Sequence, residues 1–308
     1  MPTFSWAGML GIGSGFCQGS AVMEAIERAA TLIRQAQSLV IAAGAGMGVD
    51  SGLPDFRGNS GFWRAYPALG KAGLEFVSVA SPRTFENNPA LAWGFYGHHL
   101  ALYRKTVPHP GFALLQHWGS RMPGGFSVFT SNVDGQFQKA GFPENRINEH
   151  HGSIHHLQCL QDCGAGIWAA DDFVPEVDEQ NCLLLNQPPV CPDCGGIARP
   201  NILMFGDWKW NEERSLAQES MQESWRSTAT KVVVIELGAG TAIPSVRHFS
   251  DRIVREHGGR LIRINPRESE VDDSLDVGLG MGALDGLRAL ESTLGTEWSL
   301  KGAPTDRL

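Results

Sequence analysis

Three groups of residues in this chain have types and spacings that could do chemistry. Cys159 and Cys163 form one close pair, and Cys191 and Cys194 form a second that begins 28 positions after Cys163. Thiolates paired on short knuckles suit a tetrahedral zinc, and the second pair, with Pro192 inside it and Gly195-Gly196 behind it, is a ribbon-type knuckle. The alternative is two unliganded hairpins with buried thiols. The second group is Gly44, Gly46 and Gly48, which directly follow the apolar run from Leu39 to Ala43. A buried strand that empties into glycines can bring bare backbone N–H groups against a phosphate, the logic of a dinucleotide site. The spacing here is Gly-x-Gly-x-Gly rather than the standard fingerprint, and a glycine-rich turn is the plain alternative. The third group lies behind the β-rich run from Phe126 to Thr130: Ser131, Asn132 and Asp134, then Glu149 with His150, His151, His155 and His156. Polar side chains at the carboxyl ends of parallel strands are the usual place for chemistry in α/β folds, although an Asn and an Asp in a turn are often only turn formers.

These residues need a scaffold, and the composition allows one. The chain has 308 residues and is 42% hydrophobic, enough for one large α/β domain plus a smaller module. Its formal net charge of −8, with no Lys/Arg block, argues against nucleic acid as a partner. No apolar run is long enough for a membrane span and the amino terminus lacks a secretory pattern, so a cytoplasmic protein without a membrane partner is expected. Six cysteines are too few for a disulfide framework. Residues 1–20 carry no periodic pattern and read as an irregular arm, whereas Val22, Ile26, Ala29, Ala30 and Ile33 recur at helical spacing ahead of the first strand. Further strands are expected over 126–130, 231–237 and 261–264, and helices over about 83–104 and 282–295 and in the segments around 109–120 and 211–227.

The stretch Asp50-Ser51-Gly52-Leu53-Pro54-Asp55-Phe56-Arg57-Gly58, set directly behind the glycine loop, resembles the signature of the sirtuin family. Thr130-x-Asn132-x-Asp134 followed by Ala140-Gly141 is similar to the family's second signature, and Glu149-x-His151-Gly152 to its third. The resemblance runs through six ordered motifs from about residue 22 to 295. It implies a Rossmann-like doubly wound parallel sheet with a helical segment and a small zinc ribbon inserted. Residues 21–152 and 206–308 would form the NAD-binding domain, with a helical and cofactor-loop insertion over about 58–120, and residues 153–205 the zinc domain held by Cys159, Cys163, Cys191 and Cys194.

The activity so implied is NAD-dependent protein-lysine deacylation, with NAD and zinc as cofactors and an extended acyl-lysine peptide as substrate. Gly44, Ala45, Gly46, Leu53, Asp55, Phe56, Arg57, Ser131, Asn132, Asp134, Gly238, Ala239 and Asn265 match cofactor-binding positions. Asn132 and Asp134 would also act in cleavage, and His151 would be the general base, a role that calls for a pKa near neutral. Phe205-Gly206 would pair with the peptide backbone as an added strand. Tyr96 and His99, at i and i+3 on a helix, stand where acidic-acyl sirtuins carry Tyr and Arg, so weak acceptance of acidic acyl-lysines is expected, with a preference over acetyl that grows as His99 protonates toward pH 6; the alternative is that both side chains only line a packed helix. Departures from the family pattern are the three residues between Cys159 and Cys163, Ser131 in place of Gln, a hydroxyl only at Thr241, and Arg267-Glu268 where an acidic residue belongs one place earlier. Two alternatives keep the fold: an ADP-ribosyltransferase or NAD hydrolase, and a non-catalytic NAD or ADP-ribose module.

Overall fold

The computed structural model describes residues 14–54, 63 and 66–300. Six parallel strands make the main sheet: β1 (Ser38–Ala43), β2 (Phe126–Thr130), β3 (Ile147–Glu149), β9 (Val232–Leu237), β10 (Arg260–Ile264) and β11 (Val277–Leu279). Their spatial order is β11-β10-β9-β1-β2-β3. Counted along the chain, that is the 3-2-1-4-5-6 order of a Rossmann sheet, and the order reverses between β1 and β9. Every residue of β1 and β9 is buried, as expected of central parallel strands covered on both faces. On one face, Leu39, Ile41, Val128, Ile235 and Ile262 pack against the helices Ser14–Gln35, Gly111–Arg121 and Ala283–Leu294. On the other, Val40, Ala42, Phe129 and Val234 meet Val246, Phe249 and Ile253 of the helix Ser245–His257, with the Phe129 and Phe249 rings stacked 3.9 Å apart.

The helix Glu213–Arg226 is mostly polar, and it packs by hydrogen bonds rather than by an apolar stripe. Gln218 accepts from the Glu149 N–H at 2.9 Å, and Gln222 donates to Ser127 Oγ and the Val128 carbonyl, each at 3.0 Å. Buried polar side chains with full partners fix the register of this helix on the β2-β3 edge. The amino-terminal helix begins at Ser14, inside the stretch expected to be irregular. The helix expected over 83–104 is two helices, Pro82–Asn87 and Pro89–Lys105, because Pro89 ends the first while Asn88 caps the second by accepting the Leu91 N–H at 3.1 Å.

A second core lies beyond the carboxyl edge of the sheet. A small antiparallel sheet, β5-β4-β8, is built from β4 (Gly152–Cys159), β5 (Ile167–Ala169) and β8 (Ala198–Ile202), and a two-stranded ribbon from β6 (Val177–Asp178) and β7 (Leu183–Leu184). The helical segment does not stand apart from them. Tyr66, Phe85, Trp93 and Leu100 share one apolar cluster with Ile154, Leu157, Phe173 and Ile202, and Trp93 Nε1 donates to the Ala198 carbonyl at 2.9 Å. Among the described residues no helix is long and apolar enough to cross a membrane.

Candidate functional site

The loops after β1 and β9 meet at the switch point of the sheet. Gly44 N–H donates to the Leu237 carbonyl at 2.9 Å and Gly46 N–H to the Gly238 carbonyl at 3.1 Å. A Cβ added to Gly44 would lie 2.9 Å from Ala239 Cα, and Gly238 turns with φ +60°. The glycines therefore serve first to let two backbones touch. This corrects the expectation that the Gly44 and Gly46 amides point at a phosphate, because both are engaged inside the protein, whereas Ala45 between them is exposed. Leu53 is buried against Gly48. Asp55, Phe56 and Arg57 lie outside the described residues.

The end of β2 is tied to this loop. Thr130 Oγ1 donates to the Ala43 carbonyl at 3.1 Å and accepts the Asn132 N–H at 3.0 Å, while Asn132 Nδ2 donates to the Gly44 carbonyl at 3.0 Å. Ser131 N–H bonds the Ala43 carbonyl at 3.1 Å. Asp134 is buried and accepts the Gln136 N–H at 2.9 Å. Burial pushes its carboxyl up to about 6, opposed by that N–H and assisted by the Glu149 carboxylate. His155 donates from Nε2 to the Asp134 carbonyl at 3.1 Å.

His151 follows β3, and its Nε2 lies 3.5 Å from Ser245 Oγ at the start of the helix Ser245–His257. Burial lowers its pKa to about 4, with neighbouring His150 adding to the effect and a hydrogen bond to the Ser131 main chain working against it. The imidazole is thus neutral and proton-accepting at pH 7, and the near-neutral pKa expected for it is corrected. Ser245 was not legible because the helix that carries it was not read, although Val246, Phe249 and Ile253 sit at helical spacing in the sequence.

On the far side of the glycine loop, Asn265 is buried and bonded inside the protein: Nδ2 donates to the Ala239 carbonyl at 2.8 Å, and Oδ1 accepts the Arg267 and Glu268 N–H groups. It thereby shapes the Gly238-Ala239 turn. Glu268 reaches over that turn to accept the Thr241 N–H at 2.9 Å and pairs with Arg247 at 3.2 Å. The displaced acidic residue and the late hydroxyl therefore meet, and Arg247, absent from the sequence reading, clamps both to Ala239.

The four cysteines converge. Cys159 and Cys194 sulfurs are 3.6 Å apart, Cys163 and Cys191 sulfurs 3.5 Å apart, and all four lie within 4.8 Å of one another. Sulfurs around a tetrahedral zinc at about 2.3 Å are separated by about 3.8 Å, so the residues fit that metal. The extra residue in the first knuckle is absorbed at Asp162, whose φ is +55°, a conformation aspartate tolerates better than most residues. Main-chain N–H groups of Gln161 and Gly196 point at the Cys159 and Cys194 sulfurs at 3.4 Å each, which favours the thiolate form.

Phe205 and Gly206 lie in the turn after β8, where Phe205 N–H bonds the Ala80 carbonyl at 3.1 Å and Gly206 adopts φ +66°. Tyr96 and His99 are buried in the second core. Tyr96 stacks on Phe85, and burial raises its pKa. His99 Nδ1 bonds the Phe95 carbonyl at 2.9 Å, its ring meets the Tyr66 hydroxyl at 3.1 Å, and burial pushes its pKa down to about 3. The expectation that His99 charges near pH 6 is therefore corrected. The i, i+3 spacing is real, but both side chains point into a dry core rather than into water.

Comparison with known proteins gives consistent results. Residues 44–241 match the model of the Sir2 family. The chain is 28% identical over 266 residues to an NAD-dependent protein deacylase of Aquifex aeolicus, covering 86% of this chain and 98% of that protein. It is 30% identical over 250 residues to an NAD-dependent protein deacylase 2 of Pyrobaculum aerophilum, covering 80% of this chain and 87% of that one. In three dimensions it resembles a structure described as Sir2 bound to acetylated peptide, with a TM-score of 0.65 and 20% identity over 88% of this chain and 99% of that one.

Proposed function

We infer the function from one premise: this chain belongs to the Sir2 family. It is an NAD-dependent protein deacylase, and its substrate is an acylated lysine in an extended protein segment. What supports this reading is that Asn132 is tied to the Gly44 carbonyl, and His151 to the main chain of the adjacent Ser131, at the switch point, where a Rossmann sheet takes its ligand. When bound, NAD supplies a nicotinamide leaving group and a ribose that receives the acyl group.

Each residue then has a physical role. The turns at Gly44–Gly46 and Gly238-Ala239, braced by Asn265 and Arg247, would form the floor under the cofactor. Asn132, held by Gly44 and Thr130, would present its amide to the nicotinamide carboxamide with little freedom to lose on binding. Asp134 would accept a hydrogen bond there, and Leu53 would close the pocket's apolar side. His151, neutral and backed by the Ser245 hydroxyl, would take the proton from a ribose hydroxyl during acyl transfer. The zinc held by Cys159, Cys163, Cys191 and Cys194 would fold the small sheet and take no part in the reaction. Phe205 and Gly206 would line the peptide, and the protein would act in the cytoplasm.

The test is incubation with NAD and a panel of acyl-lysine peptides, with identification of the ADP-ribose product by mass. O-acyl-ADP-ribose supports deacylation. Free ADP-ribose without loss of the peptide's acyl group, or ADP-ribose bound to protein, would replace it with hydrolase or transferase chemistry.

A further inference from the structure

Among the described residues His151 has one side-chain hydrogen-bond partner, and it is a hydroxyl rather than a carboxylate: Ser245 Oγ, 3.5 Å from Nε2. The ring is also bonded to the Ser131 main chain. A neutral imidazole carries a single N–H, so the tautomer that gives it to the Ser131 carbonyl leaves Nε2 with a lone pair facing Ser245. The hydroxyl is then the donor, and it sits on the nitrogen that a general base must use.

The placement is built into the fold. Ser245 opens a helix whose Val246 and Phe249 are buried against the sheet, and the Phe249 ring stacks on Phe129 at 3.9 Å. Phe129 also lies against the ring of His150, one residue before the base, with 5.0 Å between centroids. One aromatic stack thus holds both partners, and neither backbone can withdraw without opening the core. Arg247, two residues further along the helix, is turned to the Ala239 carbonyl and to Glu268. Among the described residues Ser245 Oγ has no second hydrogen-bond partner, and the residue is half-buried. A hydroxyl that donates to a base still accepts through its own lone pairs. Those of Ser245 are available to a hydroxyl brought by the ligand.

We propose that Ser245 is a catalytic proton relay, taking the proton of the ribose hydroxyl while passing its own to His151 Nε2. This rests on the deacylase reading and on His151 as its base. As the ribose O–H bond breaks, its proton goes to Ser245 Oγ and the Ser245 proton to His151, while the electron pair left on the ribose oxygen forms the bond to the acyl carbon. The imidazolium later returns the proton to the lysine nitrogen as the bond between that nitrogen and the acyl carbon breaks. Ser245 ends the cycle unchanged.

The test uses the full chain with NAD and an acetyl-lysine peptide, following O-acetyl-ADP-ribose formation in single turnover, nicotinamide exchange, and the dependence of the single-turnover rate on solvent deuterium content. Ser245→Ala is expected to slow acyl transfer by about 10² while exchange is largely kept, and Ser245→Thr, which retains a hydroxyl, to recover most of the rate. In a His151→Ala background the alanine substitution should change nothing further, because relay and base act as a unit. The wild-type deuterium dependence should be curved, since two protons move together, and Ser245→Ala should make it linear. That measurement on wild-type protein stands whether or not the alanine variant folds. A linear wild-type dependence, unchanged acyl transfer in Ser245→Ala, equal losses in exchange and acyl transfer, a threonine variant as slow as the alanine one, or independent effects of the Ser245 and His151 substitutions would each overturn the relay and leave the deacylase reading intact. Wild-type protein that forms no O-acetyl-ADP-ribose overturns both.

Discussion

Gly46 and Gly238 belong to loops almost two hundred residues apart, yet a Cβ placed on Gly46 would sit 2.6 Å from Gly238 Cα. Two backbones in direct contact join the loops at the switch point of the sheet. Gly46→Ala should force the turns apart, costing about 1–3 kcal/mol of stability and weakening NAD binding. Thermal unfolding and calorimetric titration with NAD measure the two effects, and an alanine variant unchanged in both would show that the loops yield freely.

The pH dependence should belong to Asp134 rather than His151. His151, with a pKa of about 4, keeps its accepting form at every pH above about 5, so it contributes no loss of activity on acidification from 8 to 6. Asp134, raised to about 6, loses its charge as pH falls through that value. The acidic limb of kcat/KM is expected near pH 6 and absent in Asp134→Asn. His151→Ala should lower deacylation by about 10² or more, while nicotinamide exchange, which needs no ribose deprotonation, declines less.

One zinc per chain is expected by metal analysis, and chelation should lower the melting temperature. Cys194→Ser should reduce the metal content in proportion to the loss of folded small sheet. Protein prepared without zinc that retains its full melting temperature would remove the structural role.

Asp207→Asn should be strongly destabilising. It leaves the Arg199 guanidinium fully buried without its counter-charge, a loss of about 3–5 kcal/mol in comparable pairs. The double variant Arg199→Met with Asp207→Leu should recover much of that in urea denaturation, because neither charge is then stranded.

The succinyl-to-acetyl turnover ratio should be flat between pH 6 and 8. His99 is held neutral throughout that window by burial, so no charge appears to attract a carboxylate. A ratio that climbs toward pH 6 and is lost in His99→Ala would show that the ring becomes solvated when substrate binds.

Much of the sheet was legible because its central strands are short, mostly apolar and closed by glycine or polar residues: β1, β2, β9 and β10 were all located within one residue. β3 and β11 were not found. Each has only three residues, and Asn148, Glu149 and Gly278 give them no apolar signature. The strand-end polar residues could be picked out because position alone suggests chemistry. What local sequence does not encode is the environment that tunes them. Nothing at Asn265 announces that its amide is spent on Ala239, and nothing at His99 announces Tyr66 above it. Both partnerships are made by tertiary contact, and the same is true of the Arg247–Glu268 clamp.

The joint apolar cluster under Trp93 and Ile202 has a consequence for how the molecule is assembled. The helical insertion and the metal-bearing insertion are interrupted by β2 and β3, so neither can complete its interior during synthesis until the other has emerged. Their closure is long-range in sequence and is expected to come late in folding, after the amino-terminal half of the parallel sheet has formed. A cell short of zinc would then accumulate chains whose Rossmann half is ordered but whose cleft has only one wall. Excising either insertion to make a minimal enzyme would unseat the other, because Trp93 and Ala198 are joined by a hydrogen bond within a single interior.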